Sequence, residues 1–293
     1  MDAVTQAAPA KLNLYLHVTG RRDDGFHELD SLVAFADVAD EVTVRPAPDG
    51  PRLELSGPFA AALTGEDPAG NLTVRAVKAL AARLERNAGV AVALTKRLPV
   101  ASGIGGGSAD AAAVLRGLAR LWGVSPDDPA LFTVAASLGA DVPVCLAGRT
   151  CYFGGIGDVL DEAPALPETH AVLANPGLPV PTPAVFKALR AGSPRGFSAP
   201  ARFTRTPRNA AELAGLLRER RNDLTEPALA VAPVIAEVLA ALEAAPGCLL
   251  ARLSGSGATC FALYLDAGAA IAAAKRIGTA RPGWWVRPAR LLT

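Results

Sequence analysis

The first strong pattern in the chain is an alternation of apolar and polar residues between Ala10 and Val18. Residues two apart lie on the same side of a strand, so the alternation predicts a β-strand with one apolar and one polar face. The apolar face carries Leu12, Leu14, Leu16 and Val18, and the polar face carries Lys11, Asn13, Tyr15 and His17. A polar face is ordinarily the solvated side of an antiparallel sheet. Because the chain has few lysines, Lys11 and Asn13 are also candidates for a functional pair.

Similar patterns along the rest of the chain predict a mixed α+β protein. Strands are predicted at 41–45, 52–56, 90–95, 142–144, 151–158 (with a hairpin-like turn), 171–174, 249–253, 260–265 and 284–287. Helices are predicted at 71–87, after the glycines at 103–107, and at 129–138, 210–220, 233–244 and 267–277. The residue composition changes near residue 160, which predicts domains at 1–160 and 161–293. A flexible connection is predicted across 191–209.

Composition and charge narrow the classes of protein. A net charge of +1 argues against a nucleic-acid partner, because such proteins usually carry an excess of basic residues. The four cysteines lack metal-ligand spacing and have apolar neighbours, which predicts buried, reduced thiols. The N-terminal segment lacks a signal-peptide pattern, and prolines interrupt the longest uncharged run, 169–186. We therefore expect a cytoplasmic protein without a membrane segment.

A run of glycines forms the most distinctive motif. Residues 98–113 read LPVASGIGGGSADAAA, with a helical pattern directly after the glycines. Glycines leave the backbone N–H groups accessible at the start of a helix, where the helix dipole favours anions. Ser108 is the predicted N-cap, with Asp110 in the first turn. The motif therefore predicts a cradle for the phosphates of a nucleoside triphosphate.

This loop differs from the two commonest phosphate-binding loops. No lysine follows the glycines as in a Walker A loop, and Ser108 stands where a dinucleotide fingerprint has its third glycine. A glycine-rich turn between a strand and a helix, with no ligand, is the alternative interpretation.

Three further candidates have ordinary interpretations when each is taken alone. Phe26 and His27 adjoin in a charged loop, where such a pair usually serves packing. Asp141 follows a glycine that ends a predicted helix, a position common for turn aspartates. Residues 253–261, LSGSGATCF, are typical of a strand–turn–strand.

Taken in order, three of these segments resemble the GHMP kinases, a family of small-molecule kinases. The matching segments are Pro9–Leu14, Pro99–Ala113 and Leu253–Phe261. The resemblance implies a two-domain α+β fold, with an N-terminal half like the second domain of ribosomal protein S5 and a ferredoxin-like C-terminal half. It also implies that residues 1–160 bind ATP and that residues 161–293 form the substrate domain.

Other segments narrow the resemblance to one branch of that family. They are Thr19–His27 (TGRRDDGFH), Leu138–Pro143 (LGADVP), Asn175–Gly177, Pro181–Pro183 and the pair Phe186–Lys187. The implied reaction transfers the γ-phosphate of ATP to the tertiary 2-hydroxyl of a diphosphocytidyl methylerythritol, in the non-mevalonate route to isoprenoids. ATP and Mg²⁺ are the implied cofactors, with the Mg²⁺ ligands unassigned. A monomer or weak homodimer without nucleic-acid or membrane partners is expected.

The resemblance also assigns roles to individual residues. Asp141 is the general base, Lys11 keeps it ionised, and Asn13 orients the substrate alcohol. ATP is bound by Pro99, Val100, Ala101, Ser102, Gly103, Ile104, Gly105, Gly106, Gly107, Ser108 and Ala109, with Asn71, Leu72 and Lys96 near the nucleotide. The substrate's cytosine is sandwiched by Phe26 and Phe186 and hydrogen-bonded by His27, with Thr182 and Lys187 as further contacts.

The sequence departs from the family pattern at a few positions. Ala109 replaces a serine that often follows the first, Phe26 replaces a common tyrosine, and Ala101-Ser102 stands where glycines are usual. Lys11 and Asp141 are both present, which indicates an active kinase. Two alternatives stay open: another GHMP kinase, acting for example on mevalonate or homoserine, or a non-catalytic nucleotide-binding sensor.

Overall fold

The computed structural model of the protein describes residues 2–65, 67–192 and 196–293. Its strands are β1 (Val4–Arg21), β2 (His27–Pro46), β3 (Arg52–Ser56), β4 (Val90–Thr95), β5 (Cys151–Gly155), β6 (Val159–Glu162), β7 (His170–Asn175), β8 (Leu250–Leu253), β9 (Cys260–Tyr264) and β10 (Trp285–Leu292). Its α-helices are α1 (Leu72–Arg83), α2 (Gly106–Trp122), α3 (Pro129–Leu138), α4 (Val142–Ala147), α5 (Thr182–Gly192), α6 (Ala210–Arg218), α7 (Thr225–Val231), α8 (Val234–Glu243) and α9 (Ala267–Ala280).

The chain forms two compact units, each built from separate stretches of sequence. The first unit comprises Met1–Ala10, Ala39–Val100 and Gly105–Gly148. The second comprises Lys11–Val38, Ala101–Ile104 and Arg149–Thr293. The predicted assignment of ATP binding to residues 1–160 and substrate binding to residues 161–293 concerns function and stays a prediction.

The first unit combines a small sheet with the helices α1 to α4. The second half of β2 pairs with β4 in antiparallel fashion, and β3 adds to β4 in parallel. Apolar residues of α1, α2 and α3 are buried at helical spacing, which gives each helix one face toward the core. Gly117 on α2 lies against Val44 of β2, where a Cβ atom would come within 2.8 Å of the valine side chain.

The second unit is organised around antiparallel pairing. Strand β10 pairs with β7, β7 with β9, and β9 with β8. The first half of β2 pairs with β5, which pairs in turn with β6. A hydrophobic core joins one face of this sheet to α8 and α9, with members such as Val172, Ile235, Val238, Tyr264 and Ile277.

Most predicted elements are present among the described residues, and the following differences are the most informative. Strand β2 extends well before the predicted 41–45, α7 was not predicted, and α5 occupies the end of a proline-rich segment. Residues 142–144 were predicted as a strand but begin α4. That prediction was wrong because three apolar residues fit a buried helix turn as well as a strand. Of the predicted connection at 191–209, residues 193–195 lie outside the described residues.

The prediction of a solvated polar face on β1 was also wrong. The residues of that face are almost completely buried: Lys11 (4% exposed), Asn13 (1%), Tyr15 (0%) and His17 (6%). Two of them have hydrogen-bond partners within the second unit: the Tyr15 hydroxyl donates to Asp30 at 2.8 Å, and His17 Nδ1 lies 2.9 Å from the carbonyl of Ala199. Alternation distinguishes two faces but does not say what covers them.

The cysteine prediction is confirmed for three residues. None of the four cysteines, all of which the structure describes, forms a disulfide; Cys145, Cys151 and Cys260 are buried, whereas Cys248 is half-buried. Burial raises the pKa of the Cys260 thiol. Within the residues that the structure describes, no helix has the length and apolar character needed to cross a membrane.

Candidate active site

The middle of the glycine loop is held by its backbone in the second unit. Four consecutive carbonyl groups accept hydrogen bonds: Ala101 from Val180 N (3.1 Å), Ser102 from Thr259 N (3.0 Å), Gly103 from Ser254 Oγ (3.0 Å) and Ile104 from Lys11 N (2.9 Å). Three of the donors belong to the other two motifs of the sequence analysis. Those motifs, far apart in sequence, therefore meet at residues 101–104.

Gly103 lies at the closest approach of these segments. A Cβ atom built on Gly103 would come within 2.4 Å of Ser254 O and within 2.6 and 2.8 Å of the N and O atoms of Gly257. Its φ of +77° also lies in the region that favours glycine. Gly103 is thus required by the packing of the protein itself.

The second part of the loop begins α2 in the first unit. Gly105, with φ +65°, is the residue before the helix, and no side chain caps that end. Ser108 was predicted as the N-cap but is the third helical residue, because the left-handed conformation of Gly105 starts the helix earlier. The first N–H groups of a helix have no acceptor within the helix. Those of Gly106, Gly107 and Ser108 are therefore donors suited to an anion.

Lys11 is buried at the start of the β1 segment that belongs to the second unit. Its ammonium lies 5.6 Å from the centre of the Phe153 ring, a cation–π distance. The ring therefore lies along one side of this nearly buried lysine.

Asn13 is held in one orientation in the same unit. Its Nδ2 donates to Ser31 Oγ at 2.9 Å, and its backbone N–H donates to Ser254 Oγ at 3.3 Å. Asn13 Oδ1 is buried and has no hydrogen-bond partner among the described residues. Buried acceptors are rarely left unpaired, so this oxygen is a candidate for contact with a ligand donor.

Asp141 lies in the first unit between α3 and α4. Gly139 ends α3, and Pro143 is in the first turn of α4, so the aspartate is fixed in a short helix–helix connection. The carboxylate is half-buried and makes no capping hydrogen bond to α4. The side chain of Asp141 therefore does not serve as the N-cap of α4.

Lys96 follows β4 and is almost completely buried, at 2% exposure. Its ammonium lies 2.5 Å from Asp40 Oδ2 and 2.7 Å from Asp110 Oδ2. Sequence analysis placed Lys96 near the nucleotide and placed Asp110 in the first helical turn. The structure places both side chains in a buried cluster, with Asp110 one residue beyond the first turn, and the proximity of Lys96 to the nucleotide stays a prediction.

Two predicted nucleotide residues lie at the start of α1. Asn71 Oδ1 accepts hydrogen bonds from Thr73 N at 2.9 Å and from Thr73 Oγ1 at 2.8 Å, so Asn71 is the N-cap of that helix. Leu72 is the first helical residue, and its Cδ1 would lie 3.7 Å from a Cβ atom on Gly107. Leu72 is therefore beside the open end of α2. Pro99 is buried and Val100 half-buried at the entry to the loop.

The predicted cytosine site is partly assembled in the second unit. The rings of His27 and Phe186 stack with centroids 5.0 Å apart, whereas Phe26 is 61% exposed. Burial lowers the pKa of His27, and the charges of Arg190 and Arg21 lower it further. The imidazole is therefore held neutral, with one nitrogen able to donate and one able to accept. A sandwich between Phe26 and Phe186 stays a prediction.

Two weaker substrate candidates lie on α5. Thr182 Oγ1 is 2.8 Å from Ser256 Oγ, which links the start of α5 to the third motif, and the side chain of Lys187 is exposed. A separate cavity of about 520 Å³ is lined by His27, Leu189 and Arg190 but by neither Phe26 nor Phe186. It therefore does not coincide with the predicted sandwich.

Several site residues carried no usable signal in the sequence. Asp40 and Ser31 lie in a stretch that was not predicted as strand, and Phe153 belongs to an ordinary strand pattern. Each contributes through a contact with a residue distant in sequence. The serine-rich turn at 254–256 was noted as a motif, and its hydrogen bonds to residues 13 and 103 explain its composition.

Comparisons with known proteins identify the family of the chain. Two family descriptions match the chain: GHMP kinases N terminal domain over residues 71–149 and GHMP kinases C terminal over residues 186–281. The chain is 52% identical, over 100% of both lengths, to a 4-diphosphocytidyl-2-C-methyl-D-erythritol kinase from Paramagnetospirillum magneticum. A protein of the same name from Cereibacter sphaeroides strain KD131 is 54% identical over 97% of this chain and 98% of its own length.

A solved structure extends the likeness to three dimensions. The crystal structure of a 4-(cytidine 5'-diphospho)-2C-methyl-D-erythritol kinase is 35% identical and has a TM-score of 0.78, covering 99% of this chain and 100% of that one. Both family domains are matched in order, and the similarity extends along the full chain. The chain therefore belongs to the GHMP kinases, a family of ATP-dependent kinases, and has their mixed α+β, two-domain fold.

Proposed function

We propose that the protein transfers the γ-phosphate of ATP to the 2-hydroxyl of 4-diphosphocytidyl-2-C-methyl-D-erythritol, giving the 2-phosphate and ADP, in the non-mevalonate route to isoprenoid precursors. The observation that carries the proposal is the 52% identity over the whole chain to a kinase named for that substrate. Mevalonate and homoserine kinases share the fold but have no evident use for an aromatic–histidine pair such as His27 and Phe186.

The acceptor alcohol sets the chemical requirements of the reaction. A tertiary hydroxyl is crowded and weakly nucleophilic, so it must be held in line with the γ-phosphate and lose its proton as the bond forms. We assign Asp141 as the base that accepts this proton. Lys11 supplies a positive charge, which stabilises a carboxylate or a phosphoryl oxygen in its ionised form.

Asn13 is proposed to anchor the polyol part of the substrate. Its unpaired Oδ1 is buried, and the hydrogen bond from Nδ2 to Ser31 fixes which way the amide faces. A substrate hydroxyl that donates to Oδ1 would satisfy the acceptor and orient the erythritol chain. An unsatisfied buried acceptor costs on the order of 1–3 kcal/mol, which binding would recover in part.

The open start of α2 is proposed to bind the triphosphate. The N–H groups at Gly106, Gly107 and Ser108 supply hydrogen bonds, and the helix dipole favours the negative charge. Among the described residues, no group of three His, Cys, Asp or Glu side chains could hold a metal ion. Mg²⁺ is usually bound through substrate phosphates and one or two protein oxygens, so an ion that arrives with ATP does not require such a group. Bound Mg²⁺ would neutralise phosphate charge.

The substrate's cytosine is proposed to bind beside His27. The exposed Phe26 is available to stack on a base, and the neutral His27 can hydrogen-bond its edge. Thr182 and Lys187 on α5 are further substrate contacts. We also propose a cytoplasmic protein, monomeric or weakly dimeric, in which residues 1–160 bind ATP and residues 161–293 bind substrate.

A coupled assay of ADP release tests the proposed function directly. The protein is supplied with Mg²⁺-ATP and, separately, with the diphosphocytidyl substrate, mevalonate or homoserine. Release only with the first alcohol is the expected result. Release with one of the others would reassign the substrate pocket, and ATP binding without release with any of them would favour the non-catalytic sensor.

The assignment of the base is tested by Asp141→Asn. The variant removes the proton acceptor without changing size, so turnover should fall at least about a hundredfold while ATP binding and the circular dichroism spectrum stay normal. Asp128→Asn in the same unit is the matched control: Asp128 caps α3 through Ala130 N, and asparagine caps equally well. Near-normal turnover in Asp141→Asn would contradict the role of the base.

A further inference from the structure

A buried charged cluster lies beneath the glycine loop, entirely within the first unit. Its members come from three elements: Asp40 from β2, Lys96 from the end of β4 and Asp110 from α2. All three side chains are at most 3% exposed. Burying ionic groups costs several kcal/mol per ion even when they are paired, so such a cluster is weak evidence of a role in stability alone. Its position suggests another role.

The cluster contacts the chain on both sides of the loop. On the entry side, Asp40 Oδ1 accepts hydrogen bonds from the backbone N–H groups of Arg97 (2.5 Å) and Leu98 (2.8 Å). On the exit side, Lys96 Nζ lies 3.1 Å from the place where a Cβ atom on Gly106 would be. The lysine therefore packs directly against the first residue of α2, and its hydrogen bond to Asp110 continues along that helix.

The cluster holds more negative than positive charge. One ammonium serves two carboxylates, and Asp110 Oδ1 is buried with no hydrogen-bond partner among the described residues. Burial, followed by the charge of Asp40, raises the pKa of Asp110 to about 7, against the opposing effect of Lys96. Asp40 and Lys96 are the charged groups that act on Asp110 from the elements packed against it. With two carboxylates facing one ammonium and one carboxylate oxygen left without a donor in the described part of the chain, the cluster takes up a proton more readily than an exposed aspartate does.

We propose that Asp40, Lys96 and Asp110 are positioning residues for ATP: their buried cluster clamps both ends of the glycine loop and couples its phosphate-binding geometry to one proton. The proposal rests on the proposed binding of the triphosphate at the start of α2. Lys96 acts through the loop and not by touching the nucleotide, since its ammonium is enclosed by the two carboxylates. With Asp110 ionised, the cluster carries a net negative charge beneath the phosphates; with Asp110 protonated, it is neutral.

The clamp is tested with Lys96→Met and a matched control, Arg116→Met. Arg116 is a half-buried cation of the first unit, and it donates to the carbonyls of Cys145 (2.8 Å) and Ala7 (3.0 Å), away from the loop. Both variants should lower the melting temperature. Only Lys96→Met should increase hydrogen exchange across residues 97–109 and weaken ATP binding about tenfold, a loss of ~1.4 kcal/mol.

Binding and exchange are measured separately so that two failures can be told apart. ATP affinity is measured by isothermal titration calorimetry at matched folded fractions, and exchange is measured without ATP. If the wild-type protein does not bind ATP, the proposed function fails while the exchange data still decide the clamp. If Lys96→Met changes exchange and affinity no more than Arg116→Met, the cluster is structural only and the proposal is overturned.

Asp110→Asn tests the proton and remains usable if Lys96→Met does not fold. This variant keeps the Lys96–Asp40 pair and removes the titrating group. In the wild-type protein, ionisation of Asp110 above pH 7 should weaken ATP binding between pH 6 and pH 8.5 about threefold more than in Asp110→Asn. Titration of ATP itself is common to both proteins. Equal pH dependence in the two would overturn the coupling.

Discussion

The two halves of the glycine loop contain the same residue type for different reasons. In residues 101–104, every carbonyl is hydrogen-bonded within the second unit, and a side chain at Gly103 would collide with backbone atoms at 2.4–2.8 Å. In residues 105–109, a side chain at Gly107 would have only Leu72 nearby, at an ordinary 3.7 Å. The packing of the protein requires a glycine at Gly103 but leaves room for a side chain at Gly107.

This difference separates a structural glycine from a candidate ligand-binding glycine. A helical glycine in open space lowers stability relative to alanine, because it loses more conformational freedom on folding. Nothing in the packing around Gly107 offsets that loss. Close approach of a phosphate to the backbone would explain its presence, whereas Gly103 needs no ligand to explain it. Substitutions at the two positions should therefore separate folding from nucleotide binding.

The largest expected effect is that of Gly103→Ala. The new methyl group meets three backbone atoms and a positive φ, so the free energy of unfolding should fall by about 3 kcal/mol or more. Gly123→Ala is the control, since Gly123 has φ +66° but no atom within 4 Å of a Cβ position. Thermal denaturation of the two variants separates the clash from the strained φ. Equal losses of unfolding free energy in the two variants would show that the close contacts at Gly103 add nothing to the cost of the positive φ.

Gly107→Ala should have the opposite profile. The free energy of unfolding should stay the same or rise by up to about 1 kcal/mol, while ATP affinity falls about tenfold because the methyl group keeps phosphate oxygens from the backbone. Gly215→Ala in α6 is the control. Gly215 is helical like Gly107, and no atom lies within 4 Å of its Cβ position. ATP affinity unchanged in Gly107→Ala would remove the main support for the phosphate site at α2.

The smallest expected effect is that of Ala101→Gly. Ala101 is exposed and has φ +50°, a conformation that costs a non-glycine residue about 1 kcal/mol. Glycine should raise the free energy of unfolding by up to about that amount. The same exchange at Ala240, exposed within α8, should lower it by a similar amount, because glycine is a poor helix former. Shifts of the denaturation midpoint in the same direction for the two variants would contradict the strain at Ala101.

Local patterns predicted most of the architecture. The alternation of β1 and β3, the apolar run of β4 and the periodicity of α3 each depend on near neighbours in sequence, and each element is present. The order of the three motifs was sufficient to identify the family. The glycine loop was also recognised as a strand-to-helix connection with accessible backbone N–H groups.

Tertiary structure determined which residues these elements contact and which side chains are buried. Lys11 and Asn13 were identified by residue type, but only packing shows that both are buried and that Asn13 Oδ1 is unpaired. The partner of Lys96, Asp40, lies 56 residues earlier and carries no mark in its own neighbourhood. Hydrophobic periodicity and turn chemistry report on interactions within a few residues, whereas burial and ion pairing are set by segments that meet only when the chain is folded.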